Sequence, residues 1–387
     1  MKYIKNKRFR KNVRKKIYII FFLICLIFIR YNSKLILKIS PIDDMEKLEI
    51  YLNFCNSNIS RFKYFESIKF PKVSIISAIY NRGEYLLRFL KSIQNQYFND
   101  IEIILIDDFS SDNTSNLIKK YQNIDKRIIL IKNKKNFGTF KSRNFGILKS
   151  KGEYCILPDP DDILSQDCLK IFYVFAKKYD YEMLRFNLYI GQKRIFFQNC
   201  ANPTPSRAVF KPEIQTFLFY AIKKLKQIDF NVSNKFVKRE VLIKVLNMLS
   251  KEYLNMYITS YEDGILNYML YRVAKSFYFL KKIGYYYLIN PQSISKRGFK
   301  SEYIKFIFIH LKIVFEFTKN TKFEKNMFNA IFQRLVIKTS IINRTKLMKN
   351  DSKFYLNHIN IFLSNDFVSI KNKKILILLK YRLMKAI

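Results

Sequence analysis

Tryptophan is absent from this chain, histidine occurs twice, and glycine and proline occur eight times each in 387 residues. These scarcities close off several kinds of chemistry. His310 and His358 stand far from the five cysteines (Cys25, Cys55, Cys155, Cys168 and Cys200), and no CxxC pair occurs. A zinc site of ordinary spacing and a Cys–His nucleophile are therefore unsupported. An odd cysteine count, with Cys25 inside an apolar run, does not read as a disulfide framework. Neither a GxGxxG turn nor a GxxxxGK(S/T) loop is present, so the dinucleotide fingerprint and the P-loop are both missing. Acids are few as well: 30 Asp and Glu against 71 Lys and Arg give a formal charge of +41. Such a surplus ordinarily points to nucleic acid or to an anionic membrane. Here the basic residues are spread along the chain, and the abundant Lys, Asn, Ile, Phe and Tyr share AT-rich codons. The charge is read as compositional, and no nucleic-acid partner is expected. There is no internal repeat. At 49% hydrophobic, the chain has ample material for a core.

The first apolar run is residues 17–29, IYIIFFLICLIFI, behind a strongly basic tail. It is shorter than the about 20 residues a membrane span needs. Residues 35–39 prolong its apolar character, and Arg30 and Lys34 can snorkel. A cleavable signal peptide needs small residues at its cleavage site, and this region offers only Ser33. The expectation is a basic cytosolic tail over residues 1–16, an uncleaved signal anchor over 17–39 and a stem over 40–70. Such a chain is a single-pass membrane protein with a cytosolic N-terminus and, in a eukaryote, its bulk in the Golgi or ER lumen. In a bacterium the same segment is a tether. Sequons at Asn58, Asn113, Asn231, Asn343 and Asn350 suit a luminal chain, although an Asn-rich sequence produces them by chance.

From residue 71 the texture changes. Short apolar runs at residues 72–77 (KVSIIS), 101–106 (IEIILI), 127–131 (RIILI) and 153–157 (EYCIL) alternate with helical patterns. Nearly continuous apolar strands between helices predict a mostly parallel sheet with helices on both faces. In such sheets ligands bind beyond the carboxyl ends of the strands. Tyr80 and Asn81, Asp107 and Asp108, and Asp159, Asp161 and Asp162 all follow strand ends, so they should line one crevice. Three carboxylates within four residues repel unless a cation or a donor-rich ligand lies between them. Pro160 biases Asp159 towards extended backbone. One such Asp would read as a helix cap. Three after a buried strand read as oxygen ligands for a hard ion, Mn2+ or Mg2+. Arg143 offers a fork for phosphate oxygens, Tyr80 a stacking face and Asp108 an acceptor for a base N–H. A nucleoside diphosphate suits that crevice.

The segments VSIISAIYN, IEIILIDDFSSDNT, KNFGTFKSRNFG and KGEYCILPDPDD resemble, in order and spacing, the successive motifs of family 2 glycosyltransferases. The resemblance implies a GT-A (Rossmann-like) fold over residues 71–290 and a nucleotide-sugar donor, a UDP-sugar above others. It implies that Tyr80 and Asp108 meet the base, with Asn81 and Asp107 alongside. Arg143 and Asn144 stand near the nucleotide. Asp159 and Asp161 form the DxD-type element on ribose and metal, with Asp162 close by. Ala78 stands where the family usually has proline. Glu262-Asp263 resembles the family's ED motif, although an acidic first turn is by itself only a favourable helix start. In the family reading Asp263 is the catalytic base, and Glu262 raises its proton affinity by like-charge repulsion. Asp263 then deprotonates an acceptor hydroxyl on a glycan, lipid or protein as it attacks the anomeric carbon with inversion. The rival reading is a catalytically silent nucleotide-sugar-binding relative or scaffold, but the acids whose loss would mark it are present. Strands are expected at 277–280 and 285–288. A C-terminal helical extension over 291–387 follows, with helices near 303–317 and 326–342. Its basic amphipathic end either packs on the domain or lies on an anionic membrane.

Overall fold

The computed structural model describes residues 64–191, 197–201, 207–210, 231–288, 301–318, 322–337, 348–349, 351–366 and 368–386. The expected tail, the signal anchor and residues 40–63 of the stem lie outside them. Among the described residues no helix is long and apolar enough to cross a membrane.

β1 (Val73–Ile79) and β2 (Ile101–Asp107) are buried almost throughout, as aliphatic and β-branched side chains require in a strand covered on both faces. They pair in parallel with Val73 opposite Ile101 and Ile79 opposite Asp107, so their carboxyl ends finish level. β3 (Ile128–Lys132) lies outside β2, and β4 (Tyr154–Ile156) flanks β1 on the other side. Beyond β4 the chain keeps to β1, where Ser77 Oγ donates to the Pro158 carbonyl at 2.9 Å. The acidic segment is thereby delivered to the same end of the sheet. α1 (Gly83–Gln94), α2 (Thr114–Ile124) and α3 (Thr139–Lys149) fill the connections. α3 crosses β1 and β2 closely at Gly146, where any Cβ would come within 2.5 Å of Ile76.

The sheet is mixed rather than mostly parallel. After β5 (Ile163–Leu164) and α4 (Cys168–Tyr179) come β6 (Met183–Gly191), β7 (Phe197–Ala201), β8 (Arg207–Phe210) and β9 (Lys235–Lys238). The order is β3-β2-β1-β4-β9-β6-β10-β5, with β7 on β6 and β8 on β10. β6 and β10 (Ser276–Leu288) are parallel to each other, but β9 opposes both β4 and β6, and β5, β7 and β8 also pair antiparallel. A strand buried on both faces reads the same in either direction, so the apolar runs carried no sign of this. The two strands expected at 277–280 and 285–288 are one strand, β10, whose register shifts between Leu280 and Tyr285 absorb the interruption.

α5 (Arg239–Met248), α6 (Lys251–Asn255) and α7 (Glu262–Val273) precede β10. α8 (Ser301–Glu316), α9 (Lys322–Phe332) with a π-helical turn at Gln333–Ile337, α10 (Ser352–Leu363) and α11 (Ile370–Ala386) follow it. These last helices continue the core of the sheet domain. One buried cluster runs from Ile76, Ile104 and Ile106 through Leu266 and Met269 of α7 to Phe308, Phe328 and Phe362.

Candidate active site

Asn81, Phe109 and Tyr261 carry φ angles of 51°, 68° and 64°, three of the four positive-φ non-glycine residues among those described. Each lies just past a strand end or at the start of α7, where backbone strain is held by surrounding contacts. Asn81 accepts from the Ser111 N–H at 2.8 Å and its own N–H donates to Ser110 Oγ at 3.0 Å, tying the two loops together. Asp107 accepts from the Ser110 N–H at 2.9 Å through Oδ1, while its buried Oδ2 has no protein partner. Asp108 receives Asn133 Nδ2 at 2.7 Å and the N–H groups of Phe137 and Gly138 at 2.8 Å each. It therefore closes the loop over residues 133–138. Gly138, at φ 84°, lies so near the Ile258 backbone that a Cβ would come within 3.0 Å of it.

Tyr80 is 46% exposed at this rim. Tyr257, 51% exposed, stands against Gly138, and its hydroxyl pKa is pushed up by burial, Glu302, Asp108 and Tyr80. Tyr257 belongs to no motif and is one tyrosine among 27, so nothing local marks it.

Arg143, on α3, joins the two halves of the site. Its guanidinium is buried and donates through Nη2 to Asp159 Oδ1 at 3.1 Å, and through Nη1 to Asp263 Oδ1 at 2.5 Å and Glu262 Oε1 at 3.5 Å. Burial alone would loosen its proton, but Asp263, Asp159 and Glu262 outweigh it and raise its pKa. Asn144 beside it is buried, and both of its amide atoms lack a protein partner. Asp263 is 25% exposed, with the Val232 N–H 3.5 Å from Oδ2. Glu262 is the buried member of the pair, and burial with the adjacent Asp263 pushes its pKa up to about 8 despite Arg143. The proton that like-charge repulsion retains is thus on Glu262.

The acids after β4 splay apart. Asp159 keeps 34% of its side chain open, yet its carboxyl is set among packed atoms. That desolvation, opposed by Arg143 and reinforced by Asp263 and Asp161, raises its pKa to about 7. Asp161 lies 3.6 Å from Arg82, and its carbonyl accepts from Arg88. Asp162, grouped with the metal ligands on sequence grounds, is turned towards β10 instead. Its Oδ2 accepts from the Tyr285 hydroxyl at 2.6 Å and its Oδ1 from the Leu288 N–H at 2.9 Å. The same hydroxyl accepts the Asp159 N–H at 3.0 Å, so Asp162 braces the segment from behind.

Among the described residues no group of three or more His, Cys, Asp or Glu is arranged to hold a metal ion. The remaining donor set still fits one. Asp159 and Asp161 present carboxylate oxygens without nitrogen or sulfur, and a hard divalent ion takes its other ligands from water and phosphate. The acids Asp159, Asp161, Asp162, Glu262 and Asp263 outnumber Arg82, Arg88 and Arg143, and burial, with this surplus of negative charge added to it, raises the pKa values of Asp159 and Glu262.

This architecture, a mixed sheet with an acidic crevice at its carboxyl end, is GT-A-like. Residues 74–246 match the model of Glycosyl transferase family 2. The chain is 33% identical over 175 residues to the poly(ribitol-phosphate) beta-N-acetylglucosaminyltransferase TarP of Staphylococcus aureus, covering 42% of this chain and 50% of that protein. It is 32% identical over 117 residues to the glycosyltransferase GlyG of Streptococcus pneumoniae, covering 30% of this chain and 39% of that one. The chain therefore spans half or less of the length of these two relatives. The crystal structure of S. aureus TarS 1–349 in complex with UDP-GlcNAc superposes with a TM-score of 0.61 over 81% of this chain and 89% of that one, at 17% identity. Over residues 74–246 the chain is similar to glycosyl transferase family 2, and it shares the fold of TarS.

Proposed function

We propose that the chain transfers a sugar, with inversion, from a nucleoside-diphosphate donor to a hydroxyl of a glycan, lipid or protein. The observation that carries this reading is the reach of Arg143, which ties Asp159 at the nucleotide end to Asp263 at the acceptor end through one buried guanidinium. A UDP-sugar is the favoured donor: the TarP name specifies N-acetylglucosaminyl transfer, and TarS has been crystallised with UDP-GlcNAc.

In this reading Tyr80 and Tyr257 border the base, and the unpartnered Oδ2 of Asp107 is the acceptor best placed for a base N–H. Asp108 has one donor on Oδ2 and two on Oδ1, so it holds the 133–138 loop and retains capacity for a further contact. Asn81 orders the rim, and Asn144 supplies a free amide beside the nucleotide. Asp263, open on one side and held in place by Arg143, takes the acceptor proton. The acceptor oxygen bonds to the anomeric carbon as the bond to the diphosphate oxygen breaks on the opposite face. Glu262, holding its own proton, limits the charge beside that base. A Mn2+ or Mg2+ ion held by Asp159 and Asp161 would supply positive charge to the leaving diphosphate. The apolar segment at 17–39, outside the described residues, is read as a single-pass anchor with the N-terminus in the cytosol, or as a tether in a bacterium.

The test is a screen of nucleotide sugars with Mn2+ for release of nucleoside diphosphate, using the full chain beside Asp263→Asn and Asp161→Asn. Asp263→Asn should lose about 10²- to 10⁴-fold in turnover while still binding nucleotide. Asp161→Asn should weaken metal-dependent nucleotide binding itself. Nucleotide binding without turnover, for any donor offered with acceptors, would favour the silent relative.

A further inference from the structure

α11 is apolar on two opposite sides. Leu376, Leu379 and Leu383 are fully buried, and Asn372 beside them donates to the Asn329 carbonyl at 3.2 Å and to its side-chain oxygen at 2.8 Å. These residues dock the helix on the bundle. At about 100° per residue, Ile370, Ile377, Tyr381 and Met384 fall on the opposite side as one stripe. They are 77%, 57%, 61% and 59% exposed. Docking uses only the buried stripe, so a second one facing water has no task in the fold.

The charges say what covers it. α11 carries five lysines and one arginine, and no acid. By helical position Lys374 and Lys385 flank the exposed stripe on one side, and Lys373 and Lys380 on the other. Lys380 also donates to Asn360 of α10 at 2.9 Å, and Lys373 lies 3.9 Å from Asp366. An apolar stripe edged by cations is the pattern of a helix lying in a membrane interface, with aliphatic and aromatic side chains in the acyl boundary and ammonium groups among anionic headgroups.

We propose that the exposed side of α11 is a docking surface for anionic lipid, separate from the apolar segment at 17–29. A second copy of this chain would bring the same six cations against one another. A nucleic acid would engage the lysines and leave the stripe in water.

The absence of tryptophan provides the test. Tyr381→Trp, at a well-exposed position, gives the full chain a single tryptophan on this face. Adding phosphatidylglycerol vesicles should move its emission to shorter wavelength, and brominated acyl chains should quench it. Both effects should fade on phosphatidylcholine vesicles and at high salt. Adding Ile377→Glu and Met384→Glu in the same background should abolish both. A chain that sediments with the vesicles while its emission is unchanged is held elsewhere, and the proposal fails. It fails equally if the shift appears without lipid and grows with protein concentration, which would give the stripe to a second copy.

Discussion

Glu262 and Asp263 are consecutive acids in the first turn of α7, yet their surroundings differ: Glu262 is buried, and Asp263 keeps a quarter of its side chain open. The buried carboxyl holds its proton to about 8, whereas a glutamate in an unfolded chain releases it near about 4.3. Between those values the folded state binds the extra proton, so stability should fall as pH rises through that window. Glu262→Gln mimics the protonated form and should remove this contribution. Thermal melts of both proteins between about pH 5 and 8 should diverge most at the alkaline end, with the variant melting higher; parallel curves would show that Glu262 is already ionised. Arg143→Met makes the opposite change, leaving Asp159, Glu262 and Asp263 without their shared guanidinium. Loss of one partner from such a buried group should cost about 3–5 kcal/mol at neutral pH. Urea unfolding should show the deficit shrinking at acid pH, where the carboxyls neutralise. Arg143, Asp159 and Asp263 could be picked out because the motif order singles them out. That Asp162 turns to Tyr285 and that Tyr257 joins Tyr80 could not, since both depend on partners more than a hundred residues away.

The loop over residues 133–138 has a hydrogen bond of its own, from the Gly138 N–H to Asn136 Oδ1 at 3.0 Å, and is also held by attachment at both sides. Asp108 gathers the N–H groups of Phe137 and Gly138, and the Ile258 backbone closes on Gly138 from the other side. Gly138→Ala would combine a strained positive φ with a Cβ set against backbone atoms that have little room to yield. The expected loss is about 1–3 kcal/mol, seen as a lower melting temperature, with weaker nucleotide binding in a titration because Asp108 and Tyr257 shift with the loop. If affinity is unchanged while stability drops, the loop is structural and does not shape the nucleotide site. At this scale the N-terminal half was plain in the sequence: β1, β2, β3 and β4 fall within a residue or two of their apolar runs. The second half was not. β9 is four residues long and owes its place to pairing with β4 and β6, and β10 crosses two register shifts that divide its apolar pattern. Pairing across such sequence distances leaves no local trace in residue type.

The whole molecule resists division at residue 290. The sequence presents the last hundred residues as a lysine-rich extension, because helices joined to a domain carry no mark of whether their apolar faces meet it or one another. In the folded chain they meet it. The Tyr268 hydroxyl on α7 donates to the Val314 carbonyl of α8 at 3.4 Å. Arg272 of α7, 9% exposed, pairs with Glu324 of α9, 6% exposed, at 2.9 Å. α7 also carries the proposed base, so its rigidity rests partly on the C-terminal helices. Glu324→Ala removes one side of a desolvated ion pair and should cost about 3–5 kcal/mol. Because one core is shared, that cost should appear as a single cooperative transition at lower denaturant, with secondary structure and nucleotide binding lost together. An extension folding by itself would instead melt first, leaving nucleotide binding intact at denaturant concentrations where helix content has already fallen. Following circular dichroism and nucleotide binding through the same urea series separates the two outcomes.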